Sequence, residues 1–469
     1  MSAPPEHPEH PDRATRQARG RAARAEVPRK AHAEWTPPAD RTDPVELLER
    51  QARSRVLELV PVRYGRMLVS PFTFFRGTAG VMAADLGSLP QSGLRTQLCG
   101  DAHLLNFGAF AAPDRTLVFD INDFDETLPG PFEWDVKRLV ASFAIAGRDR
   151  GFAPEQRTVI STAAAEAYRE AMQRFASMAD LDLWYARTPV DALIERFAVT
   201  ATPKQMKRAE RNVAKARAKD SLRAFGKLTE TVDGRTRIRS DPPIVVATRD
   251  LFAPDQRDRL EAAIHEMLRA YRRTLDHDRQ RLMERYRYVD SARKVVGVGS
   301  VGTRAWIALL LDRAEAPLFL QLKEAEASVL EPFAGASGFA AHGQRVVEGQ
   351  RLMQSASDIM LGWLRSADAD GHERDYYVRQ LWDGKGSVRV ELMDETALAA
   401  YARACGASLA RAHARAGDAV PIAAYLGRSA TFDQALATFA EAYADQNERD
   451  YATVRAAADA GEIAVRVGV

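Results

Sequence analysis

One block of strand-like sequence lies between two long helical regions, and this order constrains the fold more than any other feature. VVGVGSVGT, RAWIALLLD and APLFLQLKEA follow one another from about residue 294, and turn signals separate them. A helical stretch at 340–357 and one more strand, YYVRQLWD, complete the block. The pattern predicts a small antiparallel sheet carrying one helix at 291–383.

The rest of the chain is predicted to be helical, apart from its first residues. Residues 1–43 contain almost no large apolar side chains, so we expect a disordered arm there. Apolar residues at helical spacing begin after residue 43 and resume beyond the β-rich block. We therefore predict a larger helical lobe formed by 44–290, to which 384–469 returns. The expected fold class is α+β with two lobes.

Charge and cysteine content exclude several classes of protein. The 66 basic and 64 acidic residues give a net charge of +2, which provides no general attraction to nucleic acid or to a membrane surface. The basic run at 204–223 is interpreted as a solvated helix face rather than as a nucleic-acid site. Cys99 and Cys405 cannot form a disulfide framework. No run is apolar enough to span a bilayer and no secretory signal is recognisable, so we expect a cytoplasmic protein.

Carboxylates cluster where short predicted strands end in the first third of the chain. LCGDAHLLNFG contains Asp101 and Asn106, and LVFDINDFDET adds Asp120, Asp123 and Asp125. Phosphoryl transfer needs one carboxylate to orient the acceptor hydroxyl, and oxygen ligands to hold Mg²⁺ against the phosphates. The same residue types also cap turns at strand ends. The spacing by itself leaves the catalytic and the structural role open.

Glycines and a lysine form a second group, within the β-rich block. Gly297, Gly299 and Gly302 lie between the first two predicted strands, where they either let backbone N–H groups approach phosphates or only shape a hairpin. Lys323 lies in the apolar third strand, and a lysine in such surroundings needs an anionic partner. Glu348 on the following helix is the candidate partner, with a solvated helical glutamate as the alternative.

The acidic motifs resemble those of aminoglycoside and choline kinases. CGDAHLLNFG is similar to their HGDxHxxN catalytic loop, with Cys99 in place of the histidine. NDFDETLPGPFEWDVKRL is similar to their metal-binding Asp-Phe segment, which is followed by an aspartate that anchors the large lobe, here Asp135. The resemblance implies that Asp101 is the catalytic aspartate, and that Asn106 and Asp123 bind Mg²⁺.

Two further aspartates have roles that the resemblance leaves open. Asp120 is a rival for the metal role of Asp123, because its distance from Asn106 also fits the family pattern. Asp125 is expected to assist in metal binding.

The order of the segments differs from that of ordinary kinases, in which the glycine loop and the lysine come first. Here they follow the acidic loop by some two hundred residues. A circular permutation of a protein-kinase-like fold accounts for this order, with the break near 409–418, where LARAHARAGD resembles the helix end that normally enters the catalytic loop. The whole chain, including FFRG at 74–77, is also similar to the bacterial family catalogued as domain of unknown function 2252. Arg76 of that motif either contacts a phosphate or pairs with a carboxylate.

These resemblances imply a phosphotransferase that uses ATP or another nucleoside triphosphate together with Mg²⁺. The glycines, Lys323 and Glu348 would bind the nucleotide, and the acceptor would be a hydroxyl group on a small molecule or a protein. Two alternatives stay open: a nucleotide-binding pseudokinase with a regulatory or scaffolding role, and an AMP transferase that uses the same metal ligands with the nucleotide turned around.

Overall fold

The computed structural model describes residues 11–218, 221–252, 257–295, 297–367, 371–381, 386 and 388–468. Helices and antiparallel strands are the regular elements of these ranges. Every strand pair within these ranges is antiparallel. The fold class is therefore α+β with small antiparallel sheets, as the sequence predicted.

Short helices and two hairpin-like pairs of strands form the first part of the chain, followed by two long helices. The elements are α1 (Arg13–Glu26), α2 (Pro44–Ala52), α3 (Val60–Met67), α4 (Pro71–Phe75), α5 (Ala79–Gly87), β1 (Arg95–Leu98), β2 (Phe107–Ala111), β3 (Leu117–Ile121), β4 (Leu128–Pro131), α6 (Phe132–Asp149) and α7 (Pro154–Phe175). Strand β1 pairs with β4, and β2 pairs with β3.

A second series of short elements leads to the main sheet. It consists of α8 (Asp180–Tyr185), α9 (Val190–Ala198), α10 (Pro203–Arg217), α11 (Ser221–Leu228), β5 (Thr229–Val232), β6 (Arg235–Ile238), β7 (Val245–Ala247), α12 (Thr248–Leu251), α13 (Arg257–Arg273) and α14 (His277–Met283).

The main sheet and a group of long helices complete the chain. These elements are β8 (Arg287–Lys294), β9 (Ala305–Leu311), β10 (Pro317–Ala325), α15 (Glu331–Ala334), α16 (His342–Met353), β11 (Gly362–Ala367), β12 (Glu373–Gln380), α17 (Glu395–Ala416), α18 (Ala419–Leu426) and α19 (Thr431–Asp459). The sheet has the strand order β11-β12-β10-β9-β8-β7. Strands β9 to β12 and helix α16 lie within the predicted range 291–383, whereas β7 and the start of β8 precede it; residues 296, 368–370, 382 and 383 of that range lie outside the described residues.

The two faces of the main sheet are covered by different helices. Strand residues alternate between faces, so Leu320 and Leu322 pack with Tyr271 of α13 on one side. Phe319 faces the other side, where it packs with Ala224 and Leu228 of α11. Helices α11 and α13 therefore pack on the sheet and β7 belongs to it, so these elements of 44–290 differ from the predicted helical lobe. The apolar faces of α11 and α13 are buried against the sheet, and helical periodicity in a sequence does not specify the partner on which a helix packs.

The helical core is built around α6, which is buried along nearly its whole length. Helices α7 and α17 pack closely because both are rich in alanine and α17 carries Gly406 at the contact, where a Cβ would lie only 2.1 Å from the carbonyl oxygen of Ala164. Within the described residues, no helix has the length and apolar character required to cross a membrane.

The arm at 1–43 is not disordered over the residues that the structure describes. Helix α1 lies against α18, with Gly20 and Ala23 buried, and Arg16 forms an ion pair of 2.5 Å with Asp418. His32 is buried, and its Nε2 atom lies 2.6 Å from the hydroxyl of Tyr425. Small residues and arginines make these contacts, so the scarcity of large apolar side chains led to the wrong prediction. Residues 1–10 of the predicted arm lie outside the described residues.

Arg41 provides a test of this ordered arm. Its guanidinium is half-buried between Asp85 of α5 and Asp450 of α19, at 2.6 Å from each carboxylate. Removing the arginine leaves two buried carboxylates without their counterion, so Arg41→Ala is expected to lower the free energy of unfolding by about 3 kcal/mol. The control Arg50→Ala breaks an exposed pair with Glu46 and should cost less than about 1 kcal/mol. Equal denaturation midpoints for both variants would contradict the assigned role of Arg41.

Candidate functional site

A buried carboxylate, Asp135, holds the loop that carries Asp101. Asp135 lies in the first turn of α6, and its oxygens accept hydrogen bonds from the backbone N–H groups of Cys99 (2.8 Å) and Gly100 (3.0 Å). The Nε2 atom of His413 lies 3.2 Å from the same carboxylate. Gly100 has a φ of 84°, which favours glycine. The loop is thus fixed by the helical core.

Asn106 closes this loop and joins it to the next acidic segment. Its side-chain Nδ2 donates to the carbonyl oxygen of Asp101 at 2.8 Å, and its own carbonyl accepts from the N–H of Asn122 at 2.8 Å. Asp123 is the next residue, so the hairpin β2–β3 brings Asn106 and Asp123 together. With Nδ2 donating to the loop, the other atom of the amide group, Oδ1, remains as a ligand for a cation.

Arg138 neutralises Asp101. Its Nε donates to the Asp101 carboxylate at 2.9 Å, while its Nη2 donates to the carbonyl of Phe75 at 2.7 Å. Burial raises the pKa of Asp101, and the positive charge of Arg138 opposes this shift. Arg138 was not among the predicted site residues, although it follows Asp135 by three residues and a three-residue spacing places two side chains on one helix face.

Lys323 of β10 meets Asp125 in the interior. Its Nζ donates to the Asp125 carboxylate and, at 2.8 Å, to the hydroxyl of Ser300. The hydroxyl of Tyr377 donates to the other oxygen of Asp125 at 2.8 Å. Burial by itself would lower the pKa of Lys323, but the carboxylate of Asp125 raises it above its ordinary value. Lys323 is therefore a charged, buried cation.

The predicted pairing of Lys323 with Glu348 is wrong. Glu348 lies on α16 with its side chain 38% exposed, and it pairs with Arg351 at 3.3 Å. This is the solvated helical glutamate that the sequence analysis kept as its alternative. Asp125 takes the partner role because the loop after β3 lies beneath β10, a contact between residues 198 positions apart.

Asp123 and Asp125 form a pair of neighbouring carboxylates. An oxygen of Asp123 accepts from the backbone N–H of Asp125 at 3.2 Å. Burial and the nearby charge of Asp125 raise the pKa of Asp123. For Asp125, burial acts upward as well, but Lys323 outweighs it and lowers the pKa. The charges of Lys323 and Arg379 offset this rise in the pKa of Asp123 only in part, so a cation beside Asp123 would be favourable.

Asp120 is placed differently from the other aspartates. Its carboxylate is fully buried and pairs with Arg411 at 2.5 Å. Its second oxygen accepts from both the backbone N–H and the hydroxyl of Ser355, each at 2.9 Å. The backbone N–H of Ile121 also donates to this carboxylate, and four protein donors with zero exposure leave no approach for a metal ion, so the structure contradicts Asp120 as a metal ligand. A side chain alternates sides along a strand, and this one points into the core.

The predicted glycine loop is a turn between β8 and β9, near Lys323. Gly297 and Gly302 have φ values of 67° and 89°. A Cβ on Gly299 would lie 3.1 Å from the carbonyl oxygen of Arg76, which brings the loop close to the end of α4. Ser300 of the same turn contacts both Lys323 and Asp125.

Residues 56–66, which were not predicted to contribute to the site, donate hydrogen bonds to this glycine turn. The carbonyl of Gly297 accepts from Arg66 at 2.6 Å, and the carbonyl of Gly302 accepts from the N–H of Val56 at 2.8 Å. The turn is therefore tied to residues that precede the acidic loop in the chain.

Arg76 faces the acidic loop without forming an ion pair there. No carboxylate of the described residues lies within ion-pair distance of its guanidinium, and its buried Nε has no hydrogen-bond partner. Burial lowers the pKa of Arg76, while the charges of Asp101 and Asp123 oppose that shift. Of the two roles open for Arg76, pairing with a lobe carboxylate is thus not observed.

The donors around this loop suit Mg²⁺ only in company with a phosphate. Over the parts of the chain that the structure describes, no three His, Cys, Asp or Glu side chains converge on a metal position. Mg²⁺ at phosphoryl-transfer sites takes one or two protein carboxylates, and phosphate and water oxygens complete its shell. One amide oxygen of Asn106 and one carboxylate of Asp123 fit that requirement.

Comparison with known proteins identifies the family. A family model described as an uncharacterized protein conserved in bacteria, DUF2252, matches residues 55–457. The chain belongs to this family. In this DUF2252 chain the matched range contains both the acidic loop and Lys323, whereas α1 and Arg41 precede it. No curated protein matches the chain, and no solved structure does.

Proposed function

We propose that this DUF2252 protein is an ATP- and Mg²⁺-dependent phosphotransferase with a circularly permuted, protein-kinase-like fold. The observation that carries the proposal is the contact between Lys323 and Asp125. It joins the β-rich block to the acidic loop, so that a lysine on a strand and a group of carboxylates converge on one place. Kinases use this combination to bind the phosphates and the metal.

The order of elements in the main sheet supports the kinase-like fold. In protein kinases a glycine-rich loop lies between two strands, the following strand carries the phosphate-binding lysine, and a helix comes next. Here the glycine turn lies between β8 and β9, Lys323 lies on β10, and α16 is the next long helix. The same succession follows the acidic loop in the chain instead of preceding it.

The position of α17 supports the permutation. The hydroxyl of Thr96, on the strand that leads to the acidic loop, donates to the carbonyl of His413 at 3.0 Å. A Cβ on Gly417, just after α17, would lie 2.5 Å from the same hydroxyl. The end of α17 therefore lies beside the start of the loop that it would enter in an unpermuted chain.

The residues of the site divide the chemistry among them. Asn106 and Asp123 would hold Mg²⁺, which supplies charge neutralisation at the phosphates. Lys323 exchanges its contacts with Asp125 and Ser300 for phosphate oxygens, and Arg76 is a free cation for the transferred group. Asp101 accepts a hydrogen bond from the acceptor hydroxyl and orients it for attack.

Nucleotide-dependent thermal stabilisation tests the proposal. ATP with Mg²⁺ is expected to raise the melting temperature more than either alone, because the proposed site binds the nucleotide and the metal together. A ligand at one hundred times its Kd adds about 2.7 kcal/mol to the free energy of unfolding. The variant Glu348→Ala should keep the full effect, since that glutamate is exposed and away from Lys323.

Product analysis by mass distinguishes the alternatives. Release of ADP or an added phosphate supports phosphotransfer, and an added AMP indicates nucleotidyl transfer. Stabilisation without any product supports the pseudokinase. Absence of stabilisation by any nucleoside triphosphate would overturn all three.

A further inference from the structure

A cavity of about 870 Å³ lies between α7, α9, α10 and α17, beside the β2–β3 hairpin. None of the candidate site residues lines it, so it is separate from the site described above. Its volume lies within the range of cavities that hold small-molecule ligands.

The walls of the cavity are apolar because of the helices that form them. Helices α7 and α17 contribute alanines, such as Ala171 and Ala404, whose short side chains leave the space unfilled. Leu193 and Phe197 of α9 form the facing wall. An apolar ligand would bury this surface, and each buried methylene contributes about 0.8 kcal/mol.

Exposed arginines dominate the charge around the cavity. Arg174, Arg187, Arg196, Arg208 and Arg403 line it together with only two acidic residues, Glu170 and Asp394. This local excess of positive charge contrasts with a chain whose basic and acidic residues nearly balance.

The arginines around the cavity differ in whether they already form an ion pair. Arg187 and Arg403 pair with Asp114 and Glu166. Arg174 and Arg196 form no ion pair with any residue that the structure describes. Their pairing with an anion would therefore break no existing salt bridge.

The inner end of the cavity carries one more cation. Arg411 is 2% exposed and donates through Nη2 to Asp120, while its buried Nη1 has no hydrogen-bond partner. A buried donor without a partner is costly, so an anion or a polar group that reaches it would be favoured.

We propose that this cavity binds an amphipathic anion, with a long apolar body between the helices and a single acidic group held by the arginines. Apolar walls bordered by arginines, two of which form no ion pair with the described residues, fit this ligand class better than a neutral lipid or a polar metabolite. The proposal does not depend on phosphotransfer, because the cavity and the candidate site share no predicted residue.

Calorimetric titration with dodecanoate and with the neutral dodecanol tests the proposal. Dodecanoate, below its micellar concentration, is expected to bind roughly tenfold or more tightly than dodecanol, because charge-assisted hydrogen bonds to guanidinium groups favour the carboxylate. Arg196→Glu should weaken dodecanoate by about tenfold and leave dodecanol unchanged. The matched control Arg21→Glu reverses an exposed arginine on α1, away from the cavity, and should have no effect.

Filling the space gives an independent readout. Ala404→Leu adds apolar volume inside the cavity, so it should weaken both probes by roughly tenfold. Circular dichroism and thermal melting check that this variant folds, and Arg196→Glu, at an exposed position, keeps the test valid if it does not. Equal affinity for the two probes, insensitivity to Arg196→Glu, or no binding of dodecanoate would each overturn the proposal.

Discussion

Asp101→Asn is expected to lower turnover by roughly 10²- to 10⁴-fold, the usual contribution of a positioned general base, while nucleotide affinity stays nearly unchanged. The carboxylate acts mainly in the transition state, where it orients the acceptor hydroxyl. Asparagine has nearly the same shape, and Arg138 keeps its second hydrogen bond to the carbonyl of Phe75. The loop should therefore remain in place.

Two comparisons make this result specific. Lys323→Ala removes a group that binds the nucleotide in the ground state, so it should weaken nucleotide affinity as well as turnover. Asp114→Asn changes an exposed aspartate in the turn of the same β2–β3 hairpin and should alter neither. Nucleotide affinity and single-turnover rates are measured on all three variants. Full turnover in Asp101→Asn would remove Asp101 from the catalytic role, whatever the protein binds.

Asp120→Ala is expected to lose stability, whereas Asp123→Ala is expected to lose Mg²⁺-dependent nucleotide binding. Asp120→Ala leaves the fully buried Arg411 without its counterion and should lower the free energy of unfolding by about 3–5 kcal/mol. Asp123→Ala removes a proposed metal ligand, so it should abolish Mg²⁺-dependent nucleotide binding without a comparable loss of stability.

The pH dependence of stability checks the Asp123 assignment without any ligand. The folded protein raises the pKa of Asp123 above its ordinary value of 3.8, so between these two values the folded state binds more protons than the unfolded state. Stability is therefore lost as the pH rises through that window, and the loss persists at neutral pH. Asp123→Asn should be more stable than the parent at pH 7, and the difference should disappear as the pH falls toward 3.8.

Denaturant titrations of these variants at several pH values provide the measurement. If Asp123→Asn were less stable than the parent at every pH, the carboxylate would have a structural role. If Asp120→Ala bound nucleotide poorly while keeping full stability, the metal role would pass to Asp120.

Local patterns in the sequence were enough to predict the β-rich block. The apolar runs that form β9 and β10 are separated by turn residues, and this pattern depends only on near neighbours in the chain. The need of Lys323 for an anionic partner also followed from local surroundings, because a cation in an apolar strand requires one. The acidic loop was found in the same way, from residue types at close spacing.

The tertiary structure decided which charges meet. The sequence offered Glu348 as the partner of Lys323 and Asp125 as an assistant in metal binding, and only the packing of the loop after β3 beneath β10 brought Asp125 to the lysine. Asp120 lies within β3 and Asp123 in the loop that follows, and burial of the Asp120 carboxylate against Arg411 separates their roles.

The sequence did not predict that the arm is folded, or that α11 and α13 pack on the main sheet. Helix α1 packs through Gly20 and Ala23, and small residues give no apolar signal even where they let two helices approach closely. The cavity bounded by α7, α17, α9 and α10 has the same origin, since the short alanines on its α7 and α17 walls leave space that no periodicity reveals. The sequence by itself determined which segments form strands, helices and acidic turns, because these depend on neighbours along the chain. Ion pairs, helix partners and cavities depend on residues hundreds of positions apart, and only the folded chain brings those together.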